Sequence, residues 1–117
     1  MSDKKPLPIY IHMHEYGILR NVFIDKIPWF VAADVINLFS FPRPKVAITD
    51  YVEGEDKRIE YVGLFEAEGG AQDVMLVNES AVYSLASCSD KPTSRKVKRW
   101  ITQEVIPELY EFIYKGK

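Results

Sequence analysis

The sequence predicts an α+β fold in a single compact domain. Three observations carry this: period-two alternation near the start of the chain, turn signals that join strand-like runs into hairpins, and later segments with helical spacing. Together they describe a small antiparallel sheet of two hairpins plus a short strand, covered by three to four helices. A chain of 117 residues fits one domain. With 47% hydrophobic and 27% charged residues, it can bury a core and does not have a disordered composition.

Residues 1–8, MSDKKPLP, lack periodicity and read as a flexible tail, which leaves 9–117 as the domain. From Ile9 to His14 the apolar Ile9, Ile11 and Met13 alternate with Tyr10, His12 and His14, a strand pattern. Tyr16-Gly17 marks a turn into a second strand, Ile18 to Asp25, whose apolar run Arg20 interrupts. Asp25 to Pro28 is a further turn. Trp29-Phe30-Val31 forms a short third strand, placing Trp29 and Phe30 on opposite faces, both as core residues.

Val35, Leu38 and Phe39 share one face of a helix expected from Ala32 to Phe39. Pro42-Arg43-Pro44 excludes helix interior, and a second short helix is expected from Lys45 to Tyr51. Residues 52–56 are an acidic loop. Arg58 to Phe65 and Gln72 to Val77 flank Glu68-Gly69-Gly70-Ala71, a second hairpin signal. Asn78 reads as the N-cap of a helix from Glu79 to Ser87. The last helix has Pro92 in its first turn and Val97, Trp100, Ile101, Val105 and Leu109 against the core. Pro107 implies a kink or an end near Val105 or Ile106.

The net charge of −2 argues against strong non-specific DNA binding through the overall field. The charge is unevenly placed, however. Lys91, Arg95, Lys96, Lys98 and Arg99 supply five of the 15 Lys and Arg residues within one short stretch. Cations at the start of a helix oppose its macrodipole, and a bound anion such as phosphate relieves that cost. On the helix they lie away from Val97 and Ile101, so the alternative is an ordinary solvated face. Arg43 and Lys45, beside the Pro-rich bend, are candidates for supporting contacts. Lys57 and Arg58 are hemmed in by Glu53, Glu55, Asp56 and Glu60, which weakens their field.

His12 and His14 share a strand face, but two imidazoles do not make a zinc site and the chain holds no other His. No metal or other cofactor is expected, and the pair reads as an exposed strand face. Cys88, the single cysteine, rules out an intramolecular disulfide and reads as a small buried apolar residue at a helix end. No apolar run reaches membrane-spanning length and no signal-peptide pattern opens the chain, which points to the cytoplasm. Ser80 has no neighbouring base, and Gly69-Gly70 lacks the Lys and Ser/Thr of a P-loop, so no catalytic residues are assigned.

Four strings occur in a telling order: PWFVAADV (28–35), RPKVAITDYV (43–52), VNESAVYSL (77–85) and KRWITQEVIP (98–107). Over Tyr16 to Ile113 the chain resembles the Bro-N domain, the N-terminal module of phage and prophage antirepressors and of viral BRO proteins. The resemblance implies a small α+β regulatory module without catalysis, associated with DNA binding in viral members and with relief of repression in phages. It departs from the family pattern at Ala33, where a basic residue is common, and at Ala81, where Gly is. Glu108 and Glu111 also follow Pro107 where the family is basic or neutral. The expected partner is duplex DNA, held at its phosphates by Arg95, Lys96, Lys98 and Arg99 with Arg43 and Lys45 in support. The alternative partner is a repressor protein, captured without DNA contact. Homo-oligomer formation is left open.

Overall fold

The computed structural model describes residues 5–64 and 68–115. Five strands form one antiparallel sheet: β1 (Tyr10–His14), β2 (Gly17–Ile24), β3 (Ile27–Val31), β4 (Lys57–Gly63) and β5 (Ala71–Val77), in the order β1-β2-β3-β5-β4. The helices are α1 (Ala32–Leu38), α2 (Pro44–Tyr51), α3 (Glu79–Cys88), α4 (Ser94–Trp100) and α5 (Ile106–Lys115). A π turn, Ile101–Val105, joins the last two into one rod. Among the described residues no helix is long and apolar enough to cross a membrane.

The first hairpin turns at Glu15-Tyr16, since Gly17 already pairs with His14, and the turn expected over Asp25 to Pro28 is confined to its first two residues. Ile24 pairs with Ile27, so Asp25 and Lys26 form a two-residue turn, both at positive φ (53° and 67°), which matches the twist of the flanking strands. The expected end of the fourth strand at Phe65 lies outside the described residues. Gly69 and Gly70, at φ 100° and 72°, lead into β5 with backbone that a side chain would strain.

Phe30 and Trp29 do face opposite ways. Phe30 joins Leu19, Val35, Phe39, Val77, Leu85, Val97 and Ile101 in the main core under the helices. Trp29 joins Val22, Val31, Val62 and Leu76 in a second cluster on the other face. That second cluster is closed by the start of the chain. In the tail expected over residues 1–8, Leu7 is anchored: its N–H donates to the Tyr61 carbonyl (2.9 Å) and its carbonyl accepts from the Gly63 N–H (3.0 Å). Residues 1–4 lie outside the described residues. Leu7 nearly abuts β1 yet pairs with Val62 on β4, at the opposite edge. Three residue steps reach about 10 Å, whereas β1 and β4 would lie about 19 Å apart in a flat sheet. The sheet therefore curls, and Leu7 and Ile9 cover the Trp29 cluster.

Arg20, the apparent interruption of β2, is buried. Its Nε and backbone N–H donate to Asp34 Oδ2 (2.8 and 3.0 Å), its Nη2 donates to Asp34 Oδ1 (2.9 Å), and its Nη1 donates to Glu68 Oε1 (2.6 Å). The hydrogen bond to Asp34 is the main cause holding the guanidinium pKa above its ordinary value, against the opposing pull of burial. Asp34 also sits in the first turn of α1, where a carboxylate favours the helix dipole.

α1 ends before Pro42 has any effect. Ser40 takes φ 59°, its N–H donates to the Asn37 carbonyl, and the Phe41 N–H donates to the Ile36 carbonyl. This is a Schellman cap with serine where glycine is usual. Asn78 caps α3 as expected, its Oδ1 accepting the Ala81 N–H at 3.0 Å. Its Nδ2 also donates to the buried Asp56 (3.0 Å) in the 3₁₀ turn Gly54–Asp56.

At the kink or end expected near Val105 or Ile106, the π turn gives way to α5, whose second residue is Pro107, and the Ile106 N–H donates to the Ile101 carbonyl. Three expectations need correction. Pro92 lies outside the last helix, in a turn closed by the Ser94 N–H to the Lys91 carbonyl (3.1 Å), because the helix starts only at Ser94. Cys88 is exposed, because it lies off the buried stripe of α3 (Ala81, Val82, Leu85, Ala86). The His12 and His14 face is not open: the outward residues of β1 are Ile11 and Met13, 43% and 72% exposed. His12 Nε2 lies 2.8 Å from Asn21 Oδ1, and the His14 ring packs 4.6 Å from Trp100 and 5.2 Å from Tyr16. Trp100 itself is half-buried against the main core.

Candidate nucleic-acid interface

The basic helix is positioned from beneath and from its start. Val97 and Ile101 are fully buried and fix which way α4 faces. At the α3–α4 junction the Ser89 hydroxyl donates to the Phe39 carbonyl (2.9 Å) and lies against the buried Ser94 hydroxyl. The Lys91–Ser94 turn then directs the chain into α4.

Arg95, Lys96, Lys98 and Arg99 are all exposed on the solvent side of this helix. Among the described residues none of them makes an ion pair; the pairs that do form involve Arg20, Arg58 and Lys115. Lys98 has one neighbour of note, the Tyr83 ring of α3, 5.7 Å from its Nζ. Like charges three and four residues apart, as in Arg95 with Lys98 and Arg99, each cost a helix about 0.2–0.5 kcal/mol. The protein therefore carries a modest, uncompensated electrostatic cost at this face.

Two concavities meet there. A cleft of about 530 Å³ between α3 and α4 is lined by Ser89, Asp90, Lys91, Pro92, Arg95 and Lys98. A shallower groove of about 170 Å³ is lined by Arg95, Lys98, Arg99, Thr102 and Gln103. Arg95 and Lys98 line both, so they form the centre of the basic surface. Lys96 lines neither and stands out on the same helix.

Arg43 and Lys45 are placed elsewhere. Both are exposed and lack ion pairs among the described residues, but they belong to α2 and its N-cap. Arg43 borders a pocket of about 160 Å³ with Phe41, Pro42 and Tyr51. Lys45 borders an apolar groove of about 400 Å³ formed with Ala32, Ala33, Ile36, Ile48 and Met75. α3 packs against both α2 and α4, and no described cavity is shared by the two sets of cations. Lys57 and Arg58 are engaged: Lys57 Nζ donates to the Ile48 carbonyl (3.3 Å), and Arg58 Nε donates to Glu60 (2.7 Å) and lies over the Trp29 ring.

Sequence reasoning missed Tyr83 and the polar floor of the cleft, Ser89 and Asp90. Tyr83 could have been found from its position off the buried stripe of α3, which leaves it 43% exposed. Among the described residues no group of three or more His, Cys, Asp or Glu side chains converges as a metal site would require.

A protein of Haemophilus influenzae, named only as an uncharacterized protein, is 25% identical over 81 residues. The match covers 69% of this chain and 39% of that relative, so the chain spans well under half of its length. No solved structure matches the chain at a significant level. The family model for the BRO family, N-terminal domain (Bro-N), matches residues 19–107, which takes in most of β2, all of β3 to β5, α1 to α4 and the π turn. The chain belongs to the BRO family and carries its N-terminal domain.

Proposed function

We propose that this protein is a non-enzymatic regulator of the phage and prophage antirepressor type, which binds duplex DNA and acts on transcription in the bacterial cytoplasm. Its contact surface is the α3–α4 face, where Arg95, Lys98 and Arg99 take phosphates, with Lys96 beside them. The observation that carries this reading is the absence of ion pairs at those four exposed cations among the described residues. A polyanion supplies the missing counter-charge. Arg43 and Lys45 add a separate contact across α3, engaged only by a ligand long enough to pass over that helix.

Phosphate contacts fix position and affinity without selecting sequence. Fluorescence anisotropy with a labelled duplex, titrated across salt, tests the reading. Affinity should fall steeply with salt, by about 0.9 log units per log unit of salt for each phosphate neutralised. An Arg95→Ala, Lys96→Ala, Lys98→Ala, Arg99→Ala variant that binds as well as the parent rejects it.

A second reading, capture of a repressor protein without DNA, draws support from the apolar groove between α1, α2 and β5, where Ile36, Ile48 and Met75 border open space. A Met75→Glu substitution there should abolish repressor capture in a nuclease-treated pull-down while sparing DNA binding.

A further inference from the structure

The α4–α5 rod carries its exposed charges in two blocks. Its buried stripe is Val97, Ile101, Val105, Ile106 and Leu109, and its solvent ridge reads Arg95, Arg99, Glu104, Glu108. None of these four makes an ion pair among the described residues. The π turn keeps the two blocks in line, because it lets the buried stripe pass from Ile101 to both Val105 and Ile106 before α5 continues.

A ridge with two cations followed by two anions is its own complement under a two-fold rotation. We propose that a second copy of this chain docks on it, rod against antiparallel rod, about an axis near Ile101 and Thr102. Arg95 of each copy then faces Glu108 of the other, and Arg99 faces Glu104. The same rotation brings Phe112, 41% exposed in one chain, beside Lys91 and Pro92 of the other, at the mouth of the 530 Å³ cleft. A uniformly charged partner can engage only one half of this ridge, whereas a second copy engages both.

Exposed ion pairs are individually weak and are screened over about 10 Å at 0.1 M salt. The dimer is therefore weak and salt-sensitive. Arg95 and Arg99 cannot serve a second copy and a phosphate together, so DNA and self-association compete for them. The proposal stands apart from the DNA reading, because its readout is molar mass.

Sedimentation equilibrium of the full chain at about 50 mM and about 500 mM salt tests it. At low salt the mass should rise from the single chain's 13.5 kDa towards twice that value, and high salt should return it. Arg95→Glu with Arg99→Glu makes the ridge wholly acidic, and Glu104→Arg with Glu108→Arg makes it wholly basic. Each variant alone should be monomeric, with an unchanged circular dichroism spectrum, and an equimolar mixture should recover the dimer. A parent chain that stays at 13.5 kDa at low salt overturns the proposal. So does a dimer that survives both charge reversals, or a mixture no heavier than its components.

Discussion

Arg20 and Asp34, fourteen positions apart, form a buried ion pair in which Asp34 accepts three hydrogen bonds from Arg20, one from its backbone N–H. The pair ties β2 to the first turn of α1 and is joined by Glu68, from the turn before β5. Removing one partner strands the other in a dry site. Asp34→Ala should destabilise the fold by about 3–5 kcal/mol in urea unfolding. Replacing both with apolar residues of similar volume should cost much less, which separates the stranded charge from lost packing.

Asn78 both caps α3 and holds Asp56. Asn78→Ala should cost about 1–2 kcal/mol, since a cap and a hydrogen bond to a charged group go together. Asn78→Asp keeps the cap acceptor but faces the Asp56 carboxylate. It should recover part of the cap's contribution yet stay below the parent, and thermal melts of the three proteins would measure this.

Ser40 holds a left-handed conformation at the end of α1. Ser40→Gly should stabilise the protein by about 0.5–1 kcal/mol, because glycine has no Cβ to strain there. A rise in the urea midpoint at constant slope would register it.

Arg95 and Lys98 line both concavities of the basic face. Alanine at either position should weaken DNA binding across all sequences and lower the log–log salt slope by about one. Alanine at Arg43 or Lys45 should matter less with a short duplex than with a long one, because α3 separates them from the main surface. Anisotropy with duplexes of two lengths would show the difference.

Elements with local signatures were legible in the sequence. The hairpin turns, the alternation of β1, the Asn78 cap and the burial of Val97, Ile101, Val105 and Leu109 all follow from neighbours within a few residues. So did the solvent position of Arg95, Lys96, Lys98 and Arg99, because helical spacing alone places them opposite the buried stripe. Long-range partners were not legible. Arg20 resembles a break in a strand until Asp34 folds back onto it. His14 resembles an exposed residue until Trp100, on a helix at the far end of the chain, covers it. Leu7 acquires a partner only once the sheet curls. The cleft bounded by Ser89 and Lys98 depends on how α3 and α4 meet, which no local pattern encodes.

The π turn has a developmental reading in length and phase. One residue more than an ordinary helix needs has been threaded between α4 and α5, and each helical residue turns the chain by about 100°. Twelve steps of that size would leave Leu109 about 120° round from Val97, and the wider turn takes up the excess so that both stay buried. Removing one position would return the rod to ordinary α-helix with Leu109 still inward, whereas forcing α-helical bonding on the full-length segment would swing Leu109 out to water.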